Sequence, residues 1–220
     1  MNGAIPDAKR NALRTGVILL VFAGVATAML AATFNATRSA IQHNEQQEKL
    51  ALISQVLPVT LYDNDLLEGM RELPASEMLG TRTVSNAWIA RKKGVATGVV
   101  LEAIAPDGYS GDIALLIGIS AQGNVTGVRV TAHKETPGLG DYIDIAKSRW
   151  ILQFDGKSLQ LPPESAWKVK QDGGAFDARA GATITPRAVV KAVGSALQYF
   201  VRHRAQLLSS VMSNRTQLPP

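Results

Sequence analysis

The residues best suited to chemistry lie in one short stretch, residues 177–187, where small residues lead into two threonines and a proline. Thr185 followed by Pro186 has the pattern of a helix N-cap and a proline at the first helical position. The N-terminus of such a helix offers unpaired N–H groups and the positive end of the helix dipole, and both favour a phosphate group. Gly181 and Ala182 leave the approach to the backbone open. The stretch therefore predicts a helix start that binds phosphate.

A second informative stretch follows a predicted strand and contains a Pro-Gly turn and a further glycine. Such a turn makes a loop that exposes backbone N–H groups. We expect this loop to lie against a flat ring and to hydrogen-bond to the edge of that ring. The residues concerned are Glu135, Thr136, Pro137, Gly138, Leu139 and Gly140. His133, just before them, is interpreted as a strand-end histidine, because no second histidine or carboxylate stands at the spacing of a metal site.

The first stretch resembles the attachment motif of the membrane-anchored FMN subunits of the Rnf electron-transport complex. In that family an aspartate, a short spacer, a serine or threonine, and then Gly-Ala-Thr mark a threonine esterified to the phosphate of FMN. The resemblance implies that Asp177 opens the motif and that Thr183 carries the covalent FMN, with residues 181–182 in register. Ala180 stands where a serine or threonine is usual in the family. Thr185 is the competing acceptor, ranked second because its hydroxyl is better placed to cap the helix.

The second stretch is similar to the Glu-Thr-Pro-Gly-Leu-Gly loop of the same subunits and of the related subunit of the sodium-translocating quinone reductase. In those proteins this loop contacts the flavin. The resemblance therefore implies FMN-binding residues in two places, namely Glu135, Thr136, Pro137, Gly138, Leu139, Gly140, Gly181, Ala182, Thr183 and Thr185. No catalytic residue and no metal ligand is expected of the chain itself, because the flavin supplies the redox chemistry.

The resemblance covers nearly the whole chain and implies an electron-transfer subunit. Such a subunit holds FMN, through a phosphoester to Thr183, on the outer face of the membrane and relays electrons within an ion-translocating ferredoxin/NADH oxidoreductase complex. Its expected partners are the other membrane and iron–sulfur subunits of that complex. A separate flavin transferase that uses FAD is expected to make the attachment and to recognise Asp177 and the Gly-Ala-Thr segment.

Other functions stay open at this point. The nearest alternative is the FMN subunit of a sodium-translocating NADH:quinone reductase. Another is a membrane-anchored periplasmic flavin-binding adaptor without catalysis of its own. A flavin enzyme with a nicotinamide substrate is disfavoured, because no G-x-G-x-x-G follows a strand and opens a helix.

Composition excludes several kinds of site. The chain has 220 residues, a formal net charge of +5 and no cysteine. The absence of cysteine excludes disulfides, cysteine nucleophiles and cysteine-ligated zinc or iron–sulfur clusters. The basic run at residues 91–93 has no interleaved aromatic residues, so it does not indicate nucleic-acid binding. The positive charge instead suits a position beside an anionic membrane surface.

A segment without charge, Thr15 to Thr37, lies between Arg14 and Arg38 and is long enough to cross a bilayer, which takes about 20 apolar residues. Lys9, Arg10 and Arg14 precede it, so the positive-inside rule places the N-terminus in the cytoplasm. We favour an uncleaved anchor in a bacterial inner membrane over a signal peptide, whose apolar core is shorter, about 7–15 residues. The expected divisions are a cytoplasmic N-terminus at 1–14, a transmembrane helix at 15–37, a stalk helix at 38–57, a periplasmic FMN-binding domain at 58–208 and a C-terminal tail at 209–220.

The pattern of the remaining residues predicts an α+β fold. Strands are expected at 87–94, 95–104, 113–119 and 125–132, of which the last two form a hairpin. Helices are expected at 39–56, 141–154 and 186–200, a further short strand at 166–170, and irregular structure at 59–80. The predicted architecture is an N-terminal transmembrane helix followed by one FMN-binding domain with a mostly antiparallel sheet and flanking helices.

Overall fold

A computed structural model of the protein describes the backbone of residues 5–209 and the side chains of residues 10–34, 36–38 and 50–209. The chain divides into two compact units, Met1–Lys49 and Leu50–Pro220. The C-terminal tail expected at 209–220 lies, after Ser209, outside the described residues.

The first unit consists of most of one long helix, α1 (Ile5–Val56), whose last turns belong to the second unit. Its segment Arg10–Arg38 contains a stretch with a mean hydropathy of 2.4, none of which is buried. By length and composition this segment could cross a membrane. The helical segments expected at 15–37 and 39–56 are parts of this single helix. It ends just before Pro58, in agreement with the bias of a pre-proline residue against helix.

The second unit is built on one five-stranded sheet in which each strand is antiparallel to its neighbours in chain order. The strands are β1 (Met70–Leu73), β2 (Ser85–Lys92), β3 (Val95–Ala105), β4 (Ile113–Ser120) and β5 (Val125–Ala132). The prediction of a mostly antiparallel sheet is confirmed, and the expected hairpin is β4 and β5. Of the five strands, only β1 lies within residues 59–80, the region expected to be irregular. Its sequence, Met-Arg-Glu-Leu, has little strand propensity, and pairing with β2 gives it its conformation.

Both faces of the sheet are covered, because successive residues of a strand point to opposite sides. On one face Val99 belongs to the same apolar cluster as Val193 of helix α2 (Ile184–Leu208). On the other face Val100 belongs to a cluster with Ile53, which lies near the end of α1. The sheet is therefore a middle layer, and α2 packs along the face that carries the larger core.

Helix α2 forms because apolar residues recur at helical spacing along one side. Val189, Val193 and Leu197 all lie on this side and are at most 1 % exposed. The helix is longer than the predicted 186–200 at both ends. At its N-terminal end the extension brings the threonines of the first motif into the first turn.

The C-terminal end of α2 is anchored to the edge of the sheet by two arginines. Arg71 donates hydrogen bonds to the carbonyl oxygens of Gln206 at 3.0 Å and of Ser209 at 2.7 Å. Arg91 donates to the carbonyl oxygen of Ser209 at 3.0 Å. Cations suit a helix C-terminus, where the last carbonyl groups lack intrahelical donors. The far end of α2 is thus fixed, which in turn fixes the direction of its N-terminal end.

The helix predicted at 141–154 is wrong. The segment forms two separate 3₁₀ helices, Asp141–Ile143 and Arg149–Phe154. The hydroxyl oxygen of Ser148 accepts a hydrogen bond from the N–H of Trp150 at 3.0 Å and so starts the second one anew. A serine that competes for backbone hydrogen bonds in this way interrupts a continuous helix.

The strand predicted at 166–170 is also wrong. Two 3₁₀ helices, Glu164–Ala166 and Lys170–Asp172, flank a single bridge between Val169 and Phe176. Trp167, an apolar residue of the predicted strand, packs in an aromatic cluster instead, where the centroid of its ring lies 4.7 Å from that of Phe176. Side-chain packing therefore decides the backbone in this segment.

Candidate functional site

A cavity of about 270 Å³ opens where three segments of the second unit meet. The segments are the loop after β5, the start of α2 with the residues before it, and the turn between β3 and β4. The lining residues are Tyr109, Glu135, Thr136, Leu139, Gly140, Gly181, Ala182, Thr183, Ile184 and Thr185. The two stretches singled out in the sequence therefore face one space, although Glu135 and Thr185 are 50 residues apart.

Glu135 joins the three segments, because each of its carboxylate oxygens accepts a hydrogen bond from a different one. Oε2 accepts from the hydroxyl of Thr185 at 2.6 Å, and Oε1 accepts from the backbone N–H of Ser110 at 3.1 Å. Glu135 is only 4 % exposed and Thr185 only 2 %. A buried carboxylate needs such partners to offset its lost hydration. The backbone N–H of Glu135 in turn donates to Nδ1 of His133 at 3.1 Å, so His133 supports the loop.

The loop that follows Glu135 is a compact turn held by its own hydrogen bonds. The carbonyl oxygen of Thr136 accepts from the N–H groups of Leu139 and Gly140, both at 3.1 Å. The N–H of Gly138 donates to a carboxylate oxygen of Asp141 at 2.8 Å. The expectation that this loop exposes its backbone N–H groups is wrong for these three residues, because the turn uses them internally. The loop instead presents Thr136 and the exposed side chain of Leu139 to the cavity.

The start of α2 also differs from the prediction. The helix begins at Ile184, and its N-cap residue is Thr183, whose side chain makes no capping hydrogen bond. The prediction that Thr185 caps the helix is wrong, because Thr185 lies within the first turn and its hydroxyl is bonded to Glu135. Pro186 is consequently the third helical residue. The helix tolerates it there because N–H groups of the first turn have no intrahelical acceptor.

The first turn of α2 has the features of an anion site. Because Pro186 has no N–H, the backbone donors at this end are those of residues 183–185. The positive end of the helix dipole lies at the same place. Gly181, just before it, has a φ of +83°, and a Cβ atom there would meet no atom within 4 Å. The turn therefore takes a glycine conformation and leaves the approach to the helix open.

Two aromatic residues hold the loop that precedes Thr183. The hydroxyl of Tyr142 donates to the carbonyl oxygen of Ala182 at 3.3 Å and accepts from the N–H of Arg179 at 3.1 Å. The indole N–H of Trp150 donates to the carbonyl oxygen of Asp177 at 2.7 Å. Burial raises the pKa of the Tyr142 phenol above its ordinary value. The phenol therefore stays protonated at neutral pH and keeps its role as a donor.

Family models match both parts of the chain. A model of the FMN-binding domain matches residues 108–198, and a model of the RnfG N-terminal region matches residues 1–56. The chain is 47 % identical over 201 residues to the G subunit of the ion-translocating oxidoreductase complex of Pseudomonas aeruginosa, an alignment that covers 91 % of this chain and 94 % of that relative. This chain belongs to the RnfG family of ion-translocating oxidoreductase subunits.

Other members of the family are similar over the same length. The corresponding G subunit of Vibrio cholerae is 46 % identical over 194 residues, which cover 88 % of this chain and 92 % of the relative. That of Shewanella baltica is 45 % identical over 201 residues, which cover 91 % and 95 %. The resemblance that the two sequence motifs indicate is therefore confirmed.

The cavity of this RnfG family member fits FMN, which joins a flat ring system to a phosphate through a ribityl chain. The start of α2 offers backbone donors to a phosphate. Leu139, Tyr109 and Ile184 offer exposed apolar surface to a ring. A volume of about 270 Å³ lies just below the range of about 300–1,000 Å³ that is common for ligand pockets. Part of a molecule of the size of FMN would therefore remain outside.

The cavity wall differs from the predicted set of site residues in four places. Tyr109 and Ile184 line the cavity but are absent from the prediction. The sequence signal that could have indicated Tyr109 is an aromatic residue within a glycine-rich stretch, residues 107–111. Pro137 and Gly138 are in the prediction but do not line the cavity. They form the bend that directs Leu139 toward it.

Proposed function

We propose that this chain is the electron-transfer subunit that carries FMN in an ion-translocating ferredoxin/NADH oxidoreductase complex. The observation that carries the proposal is the convergence of residues 135–140 and residues 181–185 on one cavity. Membership of the RnfG family supports it, and the names of the relatives favour this complex over a sodium-translocating quinone reductase. The proposed partners are the other membrane and iron–sulfur subunits of the complex.

The proposal includes a covalent link between the phosphate of FMN and the hydroxyl of Thr183. Two contrasts support Thr183 over Thr185 as the acceptor. Thr183 is partly exposed, lines the cavity and makes no capping hydrogen bond. Thr185 is 2 % exposed, and its hydroxyl already donates to Glu135. An attaching enzyme must reach its acceptor, and of these two residues Thr183 offers the accessible hydroxyl.

The attachment is made by a separate flavin transferase, with FAD as the donor. A bond forms between Oγ of Thr183 and the phosphorus atom in the FMN half of FAD, and the bond from that phosphorus to the bridging pyrophosphate oxygen breaks. AMP leaves with the bridging oxygen, and the threonine hydroxyl loses its proton. The segment from Asp177 to Thr183 is the proposed recognition sequence. Asp177 is accessible there, and its carboxylate makes an exposed ion pair with Lys170 at 2.6 Å.

When bound, FMN supplies the redox chemistry of the subunit by accepting and releasing electrons. The residues of the chain position the cofactor. The first turn of α2 binds the phosphate, and the bond between Glu135 and Thr185 holds the opposing loop at a fixed place. The cavity is smaller than FMN, so part of the cofactor stays at the protein surface, where it can exchange electrons with a neighbouring subunit.

The proposed topology has residues 15–37 in the bacterial inner membrane, residues 1–14 in the cytoplasm and residues 58–208 in the periplasm. The apolar segment Arg10–Arg38 and the basic residues before it support this orientation. Because the chain has no cysteine, single cysteines report topology directly. In spheroplasts, an impermeant maleimide should label Ser165→Cys and spare Asn2→Cys until the cells are lysed. The reverse pattern would overturn the orientation.

The function is tested by the intact mass of the full chain made with and without a flavin transferase. We expect the wild-type chain to gain the mass of FMN less water, and only in the presence of the transferase. Thr185→Val should still gain this mass, because the Thr185 hydroxyl is not the acceptor, but in a smaller fraction of the molecules, because the bond to Glu135 is lost. Thr183→Ala should not gain this mass. Bound FMN on Thr183→Ala would show that another residue is the acceptor. No mass gain on the wild-type chain would contradict the covalent proposal.

A further inference from the structure

Three large apolar side chains are exposed at the rim of the cavity. The exposed fractions are 68 % for Tyr109, 53 % for Leu139 and 46 % for Ile184. Single exposed apolar residues are ordinary, but a cluster around one concave surface marks a place where something binds. Each of the three comes from a different one of the segments that meet at the cavity.

The backbone turn that carries Tyr109 is held firmly, although the side chain of Tyr109 is exposed. The N–H of Ser110, the next residue, donates to Glu135, which in turn accepts from Thr185 of α2. Gly108, the preceding residue, packs so closely that a Cβ atom there would lie 2.2 Å from the carbonyl oxygen of Gly111 and 2.9 Å from Oε1 of Glu135. The turn that carries Tyr109 is therefore tied to the same carboxylate as the helix start.

The ring of Tyr109 has no partner within the described part of the chain. Its hydroxyl makes no hydrogen bond there, and its ring makes no aromatic contact, in contrast to Tyr142 and Tyr199. A fixed backbone turn limits the directions in which its side chain can project, so the ring of Tyr109 stays beside the cavity and binding need not order the turn. A flat aromatic ligand is the natural partner for such a ring.

We propose that Tyr109 forms a wall of the flavin site and covers part of the isoalloxazine ring once FMN is attached. This inference rests on the proposed function, and it adds a residue that the two sequence motifs do not contain. The argument for the flavin as the partner is position. Tyr109 shares one cavity with Thr183, and the chain of hydrogen bonds through Glu135 fixes its turn relative to the helix that bears the attachment point.

Nitration by tetranitromethane tests the inference, because it modifies exposed tyrosines and is quantified by peptide mass spectrometry. The full chain is compared in detergent with and without attached FMN. We expect Tyr109 to be nitrated in the flavin-free chain and protected in the flavin-carrying chain. Tyr62, which is partly exposed and does not line the cavity, is the internal control and should react equally in both. Equal nitration of Tyr109 on protein whose mass includes FMN would overturn the inference alone. Absence of the FMN mass would overturn the proposed function and this inference with it.

Quenching of flavin fluorescence by iodide measures how far the attached flavin is accessible to solvent, and so tests whether Tyr109 covers it. Removal of the ring in Tyr109→Ala should raise the bimolecular quenching constant, which is the Stern–Volmer constant divided by the flavin fluorescence lifetime, whereas Tyr109→Phe keeps a ring and should leave it unchanged. Leu161→Ala is the matched control, because Leu161 is 71 % exposed and does not line the cavity. An unchanged constant in Tyr109→Ala would contradict the proposed wall.

Discussion

The hydroxyl of Thr185 donates a hydrogen bond of 2.6 Å to the carboxylate of Glu135, and both side chains are buried. This contact joins the first turn of α2 to the loop after β5. The other carboxylate oxygen accepts from Ser110, so a single side chain sets the spacing of all three walls of the cavity. Substitutions around Glu135 should therefore change the site more than their small size suggests.

Thr185→Val should lower the free energy of unfolding by about 1–3 kcal/mol, because it leaves a buried carboxylate oxygen of Glu135 without its donor. The shape of the side chain is nearly kept, so the loss reports the hydrogen bond. Urea unfolding of the full chain in detergent, followed by tryptophan fluorescence, measures it. Thr136→Val is the matched control, because Thr136 is exposed. Equal stability of the two variants would refute the structural role of the bond.

Two alanine substitutions in the loop should act for different reasons. Gly140 has a φ of −89°, which any residue adopts, but a Cβ atom there would lie 2.7 Å from Oε2 of Glu135 and 3.0 Å from the hydroxyl of Thr185. The carboxylate cannot yield without breaking its hydrogen bonds. Gly140→Ala should thus cost about 1–3 kcal/mol of stability and reduce flavin attachment.

Gly138→Ala is the companion variant. Gly138 has a φ of +79°, and a Cβ atom there meets nothing within 4 Å. Only backbone strain opposes the change, roughly 1 kcal/mol. Flavin attachment, measured by intact mass, should stay near the wild-type level. Equal loss of attachment in both variants would contradict the distinction between crowding and strain.

Tyr142→Phe should loosen the loop before Thr183, because it removes the bonds of the phenol to Ala182 and Arg179. The stability lost at neutral pH should be about 0.5–1.5 kcal/mol, and hydrogen exchange of residues 179–183 should become faster. Trp150 still holds Asp177, so the rest of the loop should keep its protection. Unchanged exchange at these residues would count against the role of the phenol.

The same phenol predicts a dependence on alkaline pH. Burial raises the pKa of Tyr142, so the folded state favours the neutral phenol more than the unfolded state does. Its contribution is complete below the ordinary tyrosine pKa of about 10 and is lost as pH rises through the raised value. Tyr142→Phe should lose less stability than the wild-type chain above a pH of about 10. Tyr199, whose pKa burial also raises, remains in both proteins and gives the common background.

Asp172 and Arg187 predict the opposite dependence. Hydrogen bonds of 2.6 Å from the guanidinium of Arg187 lower the pKa of Asp172. The stabilisation is present above the ordinary carboxyl pKa and is lost as pH falls through the lowered value. Both groups are accessible to solvent, so the effect on stability should be small and should shrink in salt.

An NMR titration of the carboxyl group measures this pair directly. Arg187→Gln should return the pKa of Asp172 toward its ordinary value. Lys191→Gln removes another cation of the same helix, one that pairs with Asp107 at 2.6 Å, and should leave Asp172 unchanged. If Lys191→Gln raised the pKa of Asp172 and Arg187→Gln did not, the total positive charge of the helix, rather than the hydrogen bonds from Arg187, would be the cause of the lowered pKa.

By itself, the sequence determined the strands of the sheet from β2 to β5, the apolar helix at the N-terminus, the two motifs and the family. These features depend on local patterns, namely strand propensity, helical spacing and short runs of characteristic residues. The same local patterns misled where packing overrides them. The helix expected at 141–154 is broken by a serine that bonds to the backbone, and the strand expected at 166–170 gives way to aromatic packing.

Only the tertiary structure decided how the site is assembled. It gave Thr185 a partner 50 residues away, turned the N–H groups of the loop inward and brought Tyr109 to the wall of the cavity. Hydrogen bonds between buried groups depend on which atoms the fold brings together. The pattern Thr185-Pro186 predicts that the Thr185 hydroxyl bonds to the helix backbone. It cannot show that the hydroxyl bonds to Glu135 instead, because Glu135 comes near it only in the folded chain.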